Sequence, residues 1–427
     1  MPVFTSSIEV TADYPTIKPS LNLNFARARA LDPRITFTRA STATYVGSDG
    51  LIKTAGENEA RFDHDPDTLE SLGLLIEESR TNRVTYSENF NTSWNLAAIG
   101  SVTANSITSP DGNNNGTLLV NTSPSPITVN GQTTYYGGQI YTALYGPATG
   151  IHTWSLFAKA KECEIIAPIA NTNGGSKQAF FDLSNGTVFF APADTTCTIE
   201  PYPNGWYKCS ITWDQGSSVS YTYNIQVFSK TQITGSDGIY IWGAQMEAGS
   251  FPTSYIPTSG SALARIQDEG NITGGAFSSF FNTTEGVIQT EFSRIGSVNN
   301  QMVVQFKDSD GSERIEIRGQ AGSGDSFRME VIEGGGTSSQ EYAFSSGAVV
   351  ANVVGQFAKV NLAYKQNDFA STINGTIAST DNSGDVGVCD RVGIGYATYG
   401  IRYNGHIKNI IYYPKRLTNA QLQLLTS

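Results

Sequence analysis

Histidine is nearly missing from this chain: three occur in 427 residues, His64, His152 and His406. None sits in H-E-x-x-H. No G-x-S-x-G elbow or G-K-S/T phosphate loop is present either, so three common enzyme signatures are excluded. Charge is scarce as well. Asp, Glu, Lys and Arg make up 15% of the residues, against about 25% in average proteins. The net charge is −11, and no run of Lys and Arg exists to track phosphates or an anionic bilayer. No apolar stretch reaches the ~20 residues a spanning helix needs. The first residues lack a basic start followed by an apolar run, so synthesis and folding in a cytoplasm are expected. The four cysteines, Cys163, Cys197, Cys209 and Cys389, form no C-x-x-C pair and have no neighbouring His. They read as small buried hydrophobes in a reducing compartment, with a Cys197–Cys209 hairpin disulfide as the alternative in oxidising surroundings. Heptads, G-x-y tracts and repeat periods are also absent.

What is present is Gly (43), Phe (21) and Tyr (20), with Ser, Thr and Asn clusters around short apolar runs. This pattern belongs to an all-β protein with many tight turns, and the length implies two or three domains. Residues 1–30 read as an N-terminal attachment arm. Leu21, Leu23 and Phe25 alternate with polar residues, so one face needs cover. That cover is either a neighbouring chain or particle, or the next domain. Residues 31–85 read as a small β module with a hairpin turn at Asp49-Gly50.

Residues 86–257 contain at least seven strand-like runs, no Arg, and all five Trp. Their count and spacing fit an antiparallel β-sandwich of jelly-roll type. After the strand "GIYIWGAQM", the run Pro252, Pro257, Thr-Ser-Gly-Ser argues for an exit segment, with residues 258–272 as a linker. Residues 273–427 read as a second β-sandwich. It ends in a short helix, "RLTNAQLQLLTS", capped by Thr418 and covered by Leu422, Leu424 and Leu425.

Three stretches resemble a known family. "DPRITFTRASTATYVGSDGLIKTAGENEARFDHDP…GLLIEESRTN" resembles an N-terminal module of bacteriophage virion fibre and spike proteins. "YSENF…W" through "IWGAQMEAGSFPTSYIPTSGSALAR" resembles the carbohydrate-binding-module-like jelly roll that commonly follows it. "KVNLAYKQNDFASTINGT" with "GHIKNIIYYPKRLTNAQLQLLT" resembles a concanavalin A/laminin-G-like sandwich. The resemblance implies a virion structural appendage on tail or head, made in the host cytoplasm and displayed on the virion surface. It further implies a homotrimer, attachment to other virion proteins through the arm, and host surface polysaccharide as ligand. It carries no agreed binding residues. A glycan depolymerase and a purely architectural decoration protein stand as alternatives, since a catalytic carboxylate pair is set in space and not by sequence spacing.

Sugar recognition needs flat aromatic faces beside amides and hydroxyls. The turn-rich "TTYYGGQIYTALYG" supplies Tyr135, Tyr136, Tyr141 and Tyr145. Trp94, between Asn91 and Asn95, is a further candidate, as are Tyr399 and Tyr403 in "IGYATYGIRYNG". Trp154, Trp213 and Trp242 lie within good strands and read as core. No catalytic residue, cofactor or resident metal is expected. Calcium has weak footholds in "DSDGSE" (Asp308, Asp310, Glu313) and "PDGNNNG", both of which an Asp-Gly turn also explains.

Overall fold

The computed structural model describes residues 14–121, 125–172, 175–232, 234–296, 301–319, 327–334, 341–348, 355–397, 400 and 402–427, with backbone alone at 143–148, 172, 217–221, 341–348 and 378. Among the described residues the chain is all-β apart from two short helices, Gly274–Ser278 and Asn419–Thr426, and a 3₁₀ turn at Pro203–Gly205. Its strands form antiparallel β-sandwiches, the fold class expected of the sequence.

Contacts divide the chain into two units. One holds residues 1–38, 72–78 and 268–427; the other holds 39–71 and 79–267. Residues 31–85, expected as one small module, are thus shared between the two. Residues 258–272 are not a free linker. Within their unit, Leu263–Arg265 pairs with Arg80–Asn82. In the other, Glu269–Thr273 pairs with Thr36–Thr38 and with Arg391–Ile394.

The unit 39–71/79–267 is built on one long antiparallel ladder. Gln132–Ala160 pairs with Trp206–Ser229 from Tyr135↔Ser229 to Ala158↔Tyr207. At 29 and 24 residues, these strands exceed the usual strand length several-fold, so a flat sheet of that extent is not expected. The register breaks between Tyr145 and Ala148 and between Thr149 and Ile151. Gly150 and Gly216 there have φ of +85° and +63°, a region that favours glycine. The two halves of the ladder contribute to one core. Ile140, Tyr223, Ile225 and Val227 come from the first half; Trp154, Leu156, Cys209, Ile211 and Trp213 come from the second. The Trp154 and Tyr223 rings lie 5.4 Å apart. Trp154, Trp213 and Trp242 are all core, as the strand pattern expects.

The proline-rich exit is pinned down. Asn82 is fully buried, and its amide binds the carbonyls of Ala244 and Ile256 at 3.1 and 2.8 Å. Glu247 accepts from the Thr253 amide and hydroxyl at 2.9 and 2.7 Å. Sequence reasoning expected prolines to end the strand and stiffen the exit, with Ser and Gly loosening it further on. Side-chain hydrogen bonds instead replace the ladder that proline cannot make.

The unit 1–38/72–78/268–427 packs two sheets. In one, Thr376–Asp381, Phe369–Ile373, Ala358–Lys365, Glu285–Arg294 and Gly405–Tyr413 lie in that order. In the other, Arg391–Ile394, Met302–Lys307, Arg314–Gly319, Phe327–Glu333 and Glu341–Ala348 do. Phe277, Phe280, Phe281, Phe306, Tyr364 and Tyr412 cluster in its interior. The terminal helix forms as expected: Thr418 Oγ1 accepts from the Gln421 amide at 3.3 Å, and Gln421 Oε1 accepts from the Thr418 amide at 3.0 Å. Leu422 and Leu425 pack on Val287, Ala363 and Ala370.

The arm is corrected in part. Residues 1–13 lie outside the described residues. Leu21–Asn24 pairs with Asn409–Tyr412 of its own unit, and Leu21, Leu23 and Phe25 are buried there. Their apolar face is covered by this chain, so it is not an exposed attachment strand.

Candidate functional site

The residues singled out in the sequence separate by face. Trp94 is 6% exposed and Tyr403 fully buried, so neither offers a ring to a sugar, contrary to expectation. Trp94 packs beside Phe90 and Trp154, and its Nε1 donates to the Tyr86 carbonyl at 3.1 Å. The Tyr403 hydroxyl donates to the Ser293 carbonyl at 2.6 Å. Both rings satisfy apolar burial and place their one polar atom on a backbone partner. Tyr135 is half-buried and packs on the sandwich core. The side chain of Tyr145, and Tyr399 as a whole, lie outside the described residues.

Tyr136 and Tyr141 are brought together. Five residues apart, they would point to opposite faces of a regular strand. A bulge at Gly137 removes one step: Tyr136 lies opposite Phe228, Gly138 opposite Val227, and Tyr141 opposite Asn224. Phe228 and Asn224 share a face, and so do the two tyrosines. Glycine is required at the bulge. A Cβ on Gly137 would lie 2.2 Å from the Asn121 side chain, and one on Gly138, at φ +128°, would lie 2.3 Å from the Ala98 carbonyl. Tyr136 rests on Phe228 with ring centroids 5.3 Å apart. Burial pushes its hydroxyl pKa up, so it remains a donor at neutral pH.

Between and beside these rings runs a row of amides on the face turned away from the core. Gln139 Oε1 accepts from Asn224 Nδ2 at 2.9 Å and from Gln226 Nε2 at 2.7 Å. Gln226 Oε1 accepts from Gln178 Nε2 at 2.8 Å. Asn224 Oδ1 accepts from Asn171 Nδ2 at 3.1 Å, and Asn171 Oδ1 from the Ser176 hydroxyl at 2.8 Å. Asn95, exposed, lies opposite Tyr141 on the other side. Among the described residues no charged side chain belongs to this row. Nearby Lys177 pairs with Asp194 and Lys230 with Asp182. The corresponding face of the second half of the ladder is closed: Phe157, Trp206, Trp242 and Tyr255 pack there with Ile52.

The sequence reading missed every amide of this row. A signal existed, since "QIY" and "YNIQVF" alternate amides with β-branched and aromatic residues. That alternation gives a polar outer face and an apolar inner one.

Among the described residues no group of three His, Cys, Asp or Glu side chains is placed to hold an ion. Asp308 and Asp310 accept hydrogen bonds from Ser312 in their own turn. In "PDGNNNG", Asp111 accepts from the Asn113 amide at 3.0 Å, and Asn115 Nδ2 donates to Glu88 at 3.1 Å. One carboxylate pair faces across strands, Glu316 opposite Glu330. Both are buried, and Arg318 binds both at 2.9 and 2.8 Å. The cysteines are free; Cys163, Cys209 and Cys389 are buried.

No protein-family model matches the chain, and no curated protein sequence does. Solved structures similar to it include the CBM40 module of a Ruminococcus gnavus IT-sialidase bound to α2,3-sialyllactose. That likeness has 14% identity over 34% of this chain and 84% of that one, with a TM-score of 0.29. Domains LG4-5 of the mouse laminin α1 chain match at 10% identity over 65% of this chain and 88% of that one, TM-score 0.24. Trypanosoma rangeli sialidase in complex with the inhibitor DANA matches at 10% over 72% and 63%, TM-score 0.28. At these scores the likenesses carry no argument about what the chain binds.

Proposed function

We propose that this protein is a glycan-binding structural appendage of a bacteriophage virion that holds host surface polysaccharide without cleaving it. The observation that carries the binding is the outer face of the long ladder, where half-buried Tyr136 and Tyr141 flank an uncharged amide row. Stacking rings and preset amides are what sugar rings and hydroxyls require. The virion setting, the surface location, attachment to other virion proteins and assembly as a homotrimer rest on the module order in the sequence. The reading without cleavage is supported by the facing pair Glu316 and Glu330, whose buried carboxylates are engaged by Arg314, Arg318 and Arg328. Replacing both Tyr136 and Tyr141 with Ala is expected to abolish adsorption to host cells while the melting temperature holds. The intact protein, incubated for hours with host polysaccharide, is expected to release no reducing ends. Steady release overturns the non-catalytic reading, and unchanged adsorption of a folded double variant overturns the site.

A further inference from the structure

We infer that the ligand of this face is a run of uncharged sugar residues lying along the strand Gln132–Ala160, and that acidic sugars are excluded from it. The inference rests on the glycan-binding reading above and deepens it. Three features of the face set the class.

The first is length. With the bulge counted, Tyr136 and Tyr141 are four strand steps apart, or about 13 Å at ~3.3 Å per residue. One ring cannot stack on both. A short run of linked rings can, with Gln139 and Gln226 beneath its middle.

The second is hydrogen-bond polarity. Neighbouring amide hydrogens take both lone pairs of the Gln139 carbonyl oxygen and one each on Gln226 and Asn224. Gln139 Nε2 donates to no protein group among the described residues, and Gln226 and Asn224 each spend one N–H on Gln139. The valences left over are therefore mostly donors, four N–H against two lone pairs, which suits hydroxyl, ring and glycosidic oxygens acting as acceptors.

The third is charge. A sialic or uronic carboxylate gives up strongly bound water when it is covered, and only a cation or a full set of donors returns that cost. This row has no Lys or Arg, the stretch from residue 86 to 257 has no Arg, and the chain carries −11 overall. An anionic chain loses hydration here and gains no ion pair.

The test uses the full chain on an array of neutral oligosaccharides graded in length, beside sialylated and uronate-containing probes of matched length. Neutral chains of several sugars are expected to bind, and single sugars to bind at least about tenfold more weakly. Raising NaCl from about 50 to about 500 mM is expected to change binding by less than about twofold. Gln139→Glu keeps the acceptor that holds Asn224 and Gln226 but replaces the outward donors with an oxygen. It is expected to weaken neutral binding by about tenfold with the melting temperature unchanged. Tyr141→Ala reports on the face itself. If acidic probes bind best and Tyr141→Ala weakens them, the face is right and the inference of neutral sugars is overturned. If Tyr141→Ala and Gln139→Glu both bind every probe at full strength, or if no probe binds, the reading of the face falls and this inference falls with it.

Discussion

Asn82→Ala is expected to cost the unit 39–71/79–267 much of its stability. Asn82 is fully buried and uses all four of its hydrogen-bonding valences on backbone. Its Nδ2 donates to Ala244 and Ile256, and its Oδ1 accepts from the Val84 and Met246 amides, each at 3.1 Å. One side chain therefore ties the strand Arg80–Asn82 to Gly238–Ala248 and to the proline-rich exit. Truncation leaves two carbonyls and two amides without partners in a dry interior. Each stranded group costs about 1–3 kcal/mol. Relaxation removes part of that, so the low end, ~4 kcal/mol for the four, is the working value. For a unit of this size each kcal/mol lowers the melting temperature by about 2–4 °C, giving a fall of about 8–16 °C. Thermal unfolding followed by circular dichroism, with near-ultraviolet signal reporting the Trp-rich unit, measures it. A fall under about 3 °C would refute the reasoning, because it would mean that water or backbone movement satisfies all four groups.

Deleting residues 1–30 removes Leu21, Leu23 and Phe25 from the interior. At about 1.5–3 kcal/mol per side chain, the deletion should destabilise the unit that ends the chain, and a deletion protein that melts like the parent would show the strand to be dispensable. Glu88 has its pKa raised, first by burial and further by the charge of Asp111. Its protonated form therefore stabilises the fold below the ordinary glutamate range, and that contribution is lost as pH rises through the raised value. Glu88→Gln should flatten the melting temperature against pH and raise it at pH 8 relative to pH 4; parallel curves for parent and variant would contradict this. Burial pushes the Cys163 thiol up to about 12, and Cys209 and Cys389 well above their usual range. A thiol reagent at pH 8 should leave these three unlabelled in the native protein and label them in denaturant; fast native labelling would show that the interior opens.

Local chemistry was legible in the sequence, and long-range registration was not. The terminal helix was readable because Thr418, Gln421 and the leucines act within one turn of each other. The core role of Trp154, Trp213 and Trp242 followed from their place in alternating strands. Trp94 and Tyr403 were misplaced for a related reason: they stand beside Asn and Gly as surface residues do, and their burial comes from partners such as Trp154 and Ser293, distant in the sequence. The arm shows the same division. Its alternation required a covering surface, but only pairing with Asn409–Tyr412 decided which surface that was.

The outer face of the ladder was decided by tertiary structure to the greatest extent. The sequence determined that the chain is all-β, poor in charge, and rich in tyrosine and amides, because composition and period-two patterning are local properties. Five positions separate Tyr136 from Tyr141, and period two puts them on opposite sides. The single extra residue at Gly137 reverses that, and it exists only in the pairing with Trp206–Ser229. Gln139 shares their strand, but Asn171, Gln178, and Asn224 with Gln226 come from three other strands, and the five amides meet only because four strands are aligned in one register. A shift of one residue in any of those pairings turns its side chains to the other face. The amide row is therefore a property of the assembled sheet, fixed by contacts between residues up to 87 positions apart.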